Sequence, residues 1–145
     1  MSFPKPEPGL VIRYAYLWQR EAELGREEGA KDRPCAIVAA TIVTADITRV
    51  VTIPITHSPP AAGTLVIEIP QAVKRSLGLD SDRSWIVLSE GNDFTWPGPD
   101  LRPDIPGDSS SVAYGFLPPR LFAIVQKQFL DLQSAGTAKP TRRTE

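Results

Sequence analysis

Fifteen prolines spread through 145 residues limit this chain more than any other feature. Proline fixes φ and removes a backbone donor, so it breaks helix interiors and is confined to strand ends, strand edges and turns. A bundle of long helices is therefore disfavoured, and short strands joined by turns remain. The length suits one domain with its own core. With 41% hydrophobic and 23% charged residues the composition is that of a soluble globular protein.

The apolar pattern places the elements. Leu10, Ile12, Tyr14, Tyr16 and Trp18 alternate with Val11, Arg13, Ala15 and Leu17, which is a strand pattern with a mostly apolar second face. Gln19 to Asp32 is charged and carries Gly25 and Gly29, so it reads as a long mobile loop with room for a short helical turn. Pro34 to Val43 is a continuous Ile, Val and Ala run, which predicts a central strand. Arg49 to Ile55, Thr64 to Ile69 and Trp85 to Leu88 are further strands, with Pro54 expected at an edge or a strand end. Pro70 starts a short helix that turns Val73 and Leu77 inward and ends at Gly78. Gly91 to Ser111 is rich in Pro, Gly, Asp and Ser and reads as one long irregular segment. In Pro118 to Gln133, Leu121, Phe122, Val125, Phe129 and Leu132 form one helical stripe, better suited to a core than to a subunit interface.

The expected architecture is mainly β: a small, bent antiparallel sheet or barrel with a short helix and a C-terminal amphipathic helix over an open end. Residues 1–8 read as a flexible leading segment, 9–134 as a single domain, and 135–145 as a disordered polar tail.

Charge and rare residues narrow the chemistry. The net charge is −1, so any nucleic-acid binding must use a local cluster. One histidine and one cysteine do not make the usual zinc sets. Cys35 lies inside an apolar run, which predicts an inert core thiol and makes a cysteine hydrolase a poor third hypothesis. No apolar run approaches the roughly 20 residues of a membrane helix, and there is no signal core at the N-terminus, so a cytoplasmic protein is expected.

Four stretches then fall in a telling order. Gly9-Leu10-Val11-Ile12 opens the first strand. Gly29-Ala30-Lys31-Asp32-Arg33-Pro34 leads into Cys35-Ala36-Ile37-Val38. Ile53-Pro54-Ile55-Thr56 ends a later strand. Val66-Ile67-Glu68-Ile69 is followed by Asp82-Arg83-Ser84-Trp85-Ile86-Val87-Leu88. In this order and spacing, from about Gly9 to Asn92, the chain resembles the PemK/MazF family of bacterial toxins. Those are SH3-like barrels that cleave single-stranded RNA without metal, pair as homodimers and are blocked by an antitoxin. The resemblance implies that Arg33 falls on the family's active-site arginine and Thr56 on the threonine paired with it. It also sets Glu90 near a position where several members carry an acid or a cation.

The chemistry of those side chains fits. Cleavage through the RNA's own 2′-hydroxyl needs a base, a cation on the crowded phosphate and an acid for the leaving oxygen. Arg33 can fork onto phosphate oxygens and Thr56 can donate to one. His57 is a candidate acid or base, although strand alternation next to Thr56 would aim it the other way. Glu90 is a second candidate base. Lys31 is a candidate phosphate contact and Asp32 a candidate orienter of Arg33. Trp18, Phe94 and Trp96 are candidate stacking platforms for bases, whereas Trp85 belongs to the core. The competing hypothesis is a non-catalytic binding module for RNA or peptide, or an inactive toxin relative, working through the aromatics of 91–111.

Overall fold

The apolar run after Arg33 does become the spine of the molecule. The computed structural model describes residues 2–27, 29 and 31–143. Ala30 of the approach to Arg33, Met1 of the leading segment and the last two residues of the expected tail lie outside the described residues. In chain order the elements are β1 (Leu10–Tyr14), α1 (Gln19–Glu23), β2 (Arg33–Thr44), β3 (Ile47–Thr56), β4 (Val66–Glu68), α2 (Gln71–Ser76), β5 (Trp85–Val87), β6 (Glu90–Thr95), a 3₁₀ turn (Ser109–Val112), β7 (Ala113–Phe116), α3 (Pro119–Ser134) and β8 (Lys139–Arg142).

The strands build one curled, mainly antiparallel half-barrel in the order β4-β5-β3-β2-β1-β7. The far edge of β3 is shared. It pairs with β6 from Arg49 to Thr52 and with β5 at Ile55 and Thr56. Pro54 falls in the gap between these two ladders, where a missing donor is tolerated.

Both faces of the sheet are covered, which explains why β1 and β2 read as nearly continuous apolar runs. On one face Val11, Ala36, Val38, Ile53 and Ile55 meet Leu77 at the end of α2 and Val125 and Phe129 of α3. Leu121, Phe122 and Leu132 complete the α3 stripe against the same cluster. Each fully buried side chain of this size contributes about 1.5–3 kcal/mol. On the other face Leu10, Ile12, Tyr14 and Tyr16 pack with Cys35, Ile37, Val50 and Phe94, and Trp18 and Trp96 lie at the rim.

Two expectations are corrected. The stretch 91–111 is not wholly irregular, because Glu90–Thr95 is a strand paired with β3. Polar as it is, its inward positions Gly91, Asn92 and Phe94 are buried. The loop before Arg33 does hold the short helical turn expected of it, as α1, and is to that extent more regular than a loop. Within the tail, Lys139–Arg142 is β8, running parallel to β6, and Arg143 after it is buried.

Phe94 is 1% exposed and stacks on Tyr14 at 4.7 Å between ring centroids. It is therefore a core residue and not a platform for a base. Phe94→Ala should cost about 3–5 kcal/mol of stability through the cavity it leaves, measurable as a lowered urea midpoint.

Candidate functional site

The register of the β2–β3 hairpin decides what meets at its open end. Cys35 pairs with Pro54. Extending that ladder by two residues on each strand brings Arg33, the first residue of β2, toward Thr56, the last of β3, and both line one cavity. Directly opposed residues on one face have Cβ atoms roughly 5 Å apart.

Around this pair lies a cavity of about 300 Å³ lined by Tyr16, Trp18, Arg20, Glu21, Lys31, Arg33, Thr56, His57 and Ser58. Arg20, Lys31 and Arg33 against Glu21 leave the lining with an excess of two positive charges on a chain whose total is −1. Glu21 is already engaged by the Trp18 amide and Arg26. The cavity is thus a local cationic site of the kind that gathers anions.

Arg33 lies with its Cζ 5.0 Å from the centre of the Trp18 ring, and Arg20 lies at 5.4 Å from the same ring. Its Nε is shielded from solvent and makes no hydrogen bond. Asp32 does not orient Arg33, because its carboxylate faces Arg13 at 4.0 Å and Arg102 at 3.5 Å. Thr56 Oγ1 accepts a hydrogen bond from the Ser58 amide at 3.1 Å, which turns the chain out of the strand and leaves the hydroxyl proton to donate elsewhere. That turn also resolves the alternation problem: β3 ends at Thr56, so His57 lines the same cavity as its neighbour.

Trp18 is set in place by buried polar groups. The Leu17 amide donates to Asn92 Oδ1, and Asn92 Nδ2 donates back to the Leu17 carbonyl. Arg143 then donates to Asn92 Oδ1, the Ala15 carbonyl and the Tyr14 hydroxyl, and pairs with Asp100 at 3.1 Å. The end of the chain therefore props the segment that carries the cavity wall.

The remaining expected residues fall elsewhere. Glu90 borders a neighbouring cavity with Trp18 and Thr56 but does not line the one around Arg33. Its Oε1 accepts from the Tyr16 hydroxyl and the Gln19 amide, both at 2.9 Å, so it anchors α1 and is not poised as a base. Burial pushes the Tyr16 hydroxyl well above its ordinary range, with the Glu90 charge adding to it, so it stays a protonated donor. Trp96 is held by its amide on the Thr48 carbonyl. Thr48 is eight residues along β3 from Thr56, roughly 25 Å at strand rise, so Trp96 does not share the cavity within one chain. Cys35 is fully buried, and desolvation pushes its thiol far up, as an inert core residue requires.

A second cavity of about 280 Å³ shares Lys31, Arg33 and His57 with the first and adds Lys74, Asp80 and Ser84. Sequence reasoning missed these three. No local signal marks them, because a lysine in the middle of a short helix ordinarily faces water. Among the described residues one group could approach a metal ion: His57, Asp80 and Asp82, whose donor atoms lie within 4.8 Å of one another. The Lys74 ammonium already occupies Asp80 Oδ1 at 2.8 Å and the Asp82 carbonyl, supplying the positive charge there.

The bond from Lys74, with lesser help from the His57 side, holds the Asp80 carboxyl below the usual range. A carboxyl whose folded value lies below its unfolded value, about 3.9, stabilises fully above that value and loses its contribution as pH falls through the folded one. The stability difference between wild type and Asp80→Asn, read from urea midpoints, should therefore be present at about pH 5 and shrink by about pH 2–3.

Neither a scan of family models nor searches of curated proteins and solved structures finds a match to this chain. Among the described residues, no helix is long and apolar enough to cross a membrane.

Proposed function

We propose that this chain is a metal-independent endoribonuclease of the PemK/MazF type, a toxin that cleaves single-stranded RNA and is restrained by a cognate antitoxin. The observation that supports this most is the juxtaposition of Arg33 and Thr56 across the β2–β3 register, at a cationic cavity bounded by Trp18. In this reading the 2′-oxygen attacks the adjacent phosphorus. The 2′-O–P bond forms, the P–O5′ bond breaks, the 2′ proton passes to a base, and the leaving 5′-oxygen takes up a proton. Arg33 steadies the negative charge that grows on the phosphate oxygens, using donors that the folded chain leaves open. Thr56 donates its hydroxyl proton to a phosphate oxygen, and His57 moves the proton once the bound RNA has displaced one of the groups on its ring.

The neighbouring base stacks on Trp18. Trp18→Ala should then weaken RNA binding by roughly 1–3 kcal/mol, with little dependence on sequence, in a filter-binding titration. A homodimer and a cytoplasmic setting belong to the same proposal. Ile42, Val43 and Ile47 at the hairpin tip are exposed apolar side chains that a second copy could cover. Incubating the purified protein with single-stranded RNA in excess chelator tests the reading. Accumulating fragments support it, and intact RNA after prolonged incubation counts against it.

A further inference from the structure

The single histidine does not stand alone at the cavity mouth. Its Nε2 lies 3.0 Å from Asp80 Oδ2, and its Nδ1 lies 3.1 Å from Ser84 Oγ and 3.3 Å from the Arg83 carbonyl. Lys74 closes the circuit, donating to Asp80 Oδ1 at 2.8 Å and to Ser84 Oγ at 2.7 Å. Four side chains thus form a ring, Lys74 to Ser84 to His57 to Asp80 and back to Lys74. One set of proton directions runs around the four side chains, while the Arg83 carbonyl can accept from Nδ1 only when that nitrogen carries a proton. Lysine can only donate, so Ser84 Oγ accepts from Lys74 and can give its own proton to His57 Nδ1, while Nε2–H points at the Asp80 carboxylate.

Lys74 is the unusual member. It is 1% exposed, on a helix of six residues, whereas His57 and Asp80 are both more than half exposed. Taking an ammonium out of water is costly unless its donors are satisfied, and here three acceptors surround it: Asp80, Ser84 and the Asp82 carbonyl. The arrangement ties α2 to the turn that leads into β5. It also fixes both partners of the imidazole from behind, on the wall shared by the two cavities.

We infer that Lys74 is a positioning residue for His57: through Asp80 and Ser84 it locks the imidazole in one orientation beside Arg33 and Thr56. The catalytic meaning of this lock rests on the ribonuclease reading, but the lock itself does not. Because there is one histidine, its acylation by diethyl pyrocarbonate can be followed as a single absorbance step. At pH 8 the wild-type imidazole should react at least tenfold more slowly than N-acetylhistidine, since both ring nitrogens are engaged. Lys74→Met and Asp80→Asn should each bring the rate to within about threefold of the free compound.

Asp80 is an exposed residue, so Asp80→Asn keeps the test decisive where Lys74→Met fails to fold. A wild-type rate equal to that of N-acetylhistidine, or a folded variant as slow as wild type, overturns the inference. With RNA as substrate both variants should lower kcat at least tenfold and change KM less than twofold, and Asp80→Glu should recover part of kcat. A loss confined to KM with kcat intact also overturns it. Protected acylation in a protein that never cuts RNA would keep the lock and remove only the ribonuclease reading.

Discussion

Arg33→Ala should reduce RNA cleavage in chelator by about a hundred- to a thousandfold, the range found when one preorganised donor to a developing anion is removed. The fold should survive the change. Arg33 is half-buried at the mouth of β2, makes no hydrogen bond through Nε, and touches the Trp18 ring rather than a carboxylate. Its loss leaves no orphaned charge, so the stability cost should stay near that of one cation–π contact, about 0.5–1 kcal/mol at a partly exposed site. Arg33→Lys is an informative companion. Lysine keeps the charge but loses the planar fork, so most of the activity should still be lost. Gel analysis of a labelled oligonucleotide, beside a urea denaturation of each variant, separates the two effects.

Arg143→Ala should cost roughly 3–5 kcal/mol of stability, the range for removing one partner of a buried ion pair. The Arg143 side chain is 1% exposed. Removing it strands Asp100, itself 8% exposed, and takes a donor from the acceptors Tyr14 hydroxyl, Ala15 carbonyl and Asn92 Oδ1. Since the same groups hold Leu17 in place, the variant should also loosen Trp18 and lower RNA affinity where it remains folded. A midpoint equal to that of wild type in urea would show that the end of the chain is dispensable and that the segment behind Trp18 is held by other means.

The parts of this fold that could be read directly were those where periodicity and burial agree. β1, β2 and α3 carry apolar side chains at most inward positions, so their patterns match their surroundings. The strand β6 hides because one of its buried positions is Asn92, whose amide replaces backbone partners for Leu17. The strand β8 hides because Lys139, Pro140, Thr141 and Arg142 carry no strand signal at all. It is ordered by pairing with β6 and by Arg143, whose partners lie 43 or more residues away in sequence.

The site shows the same limit more sharply. Counting back from the turn pair Thr44 and Ile47 without interruption would set Arg33 across from Ser58. Two register shifts, between Ile37 and Ala39 and between Ile42 and Thr44, move the partner to Thr56. One shift would have turned Thr56 to the opposite face, and the second restores it. Nothing in the run Cys35 to Thr44 announces these bulges, so the local sequence does not contain the register that brings Arg33 and Thr56 to one cavity. The long-range placement of Trp96 was likewise invisible, since it depends on β6 running along β3 away from the site.

The most direct test of the central claim is the chemistry of the cut ends. Wild-type protein incubated with a single-stranded oligoribonucleotide in chelator should yield fragments ending in a 2′,3′-cyclic phosphate, each followed by a fragment starting with a 5′-hydroxyl, as mass spectrometry will read. Uncut RNA, or ends carrying a 5′-phosphate, would contradict an attack by the 2′-oxygen at Arg33 and Thr56.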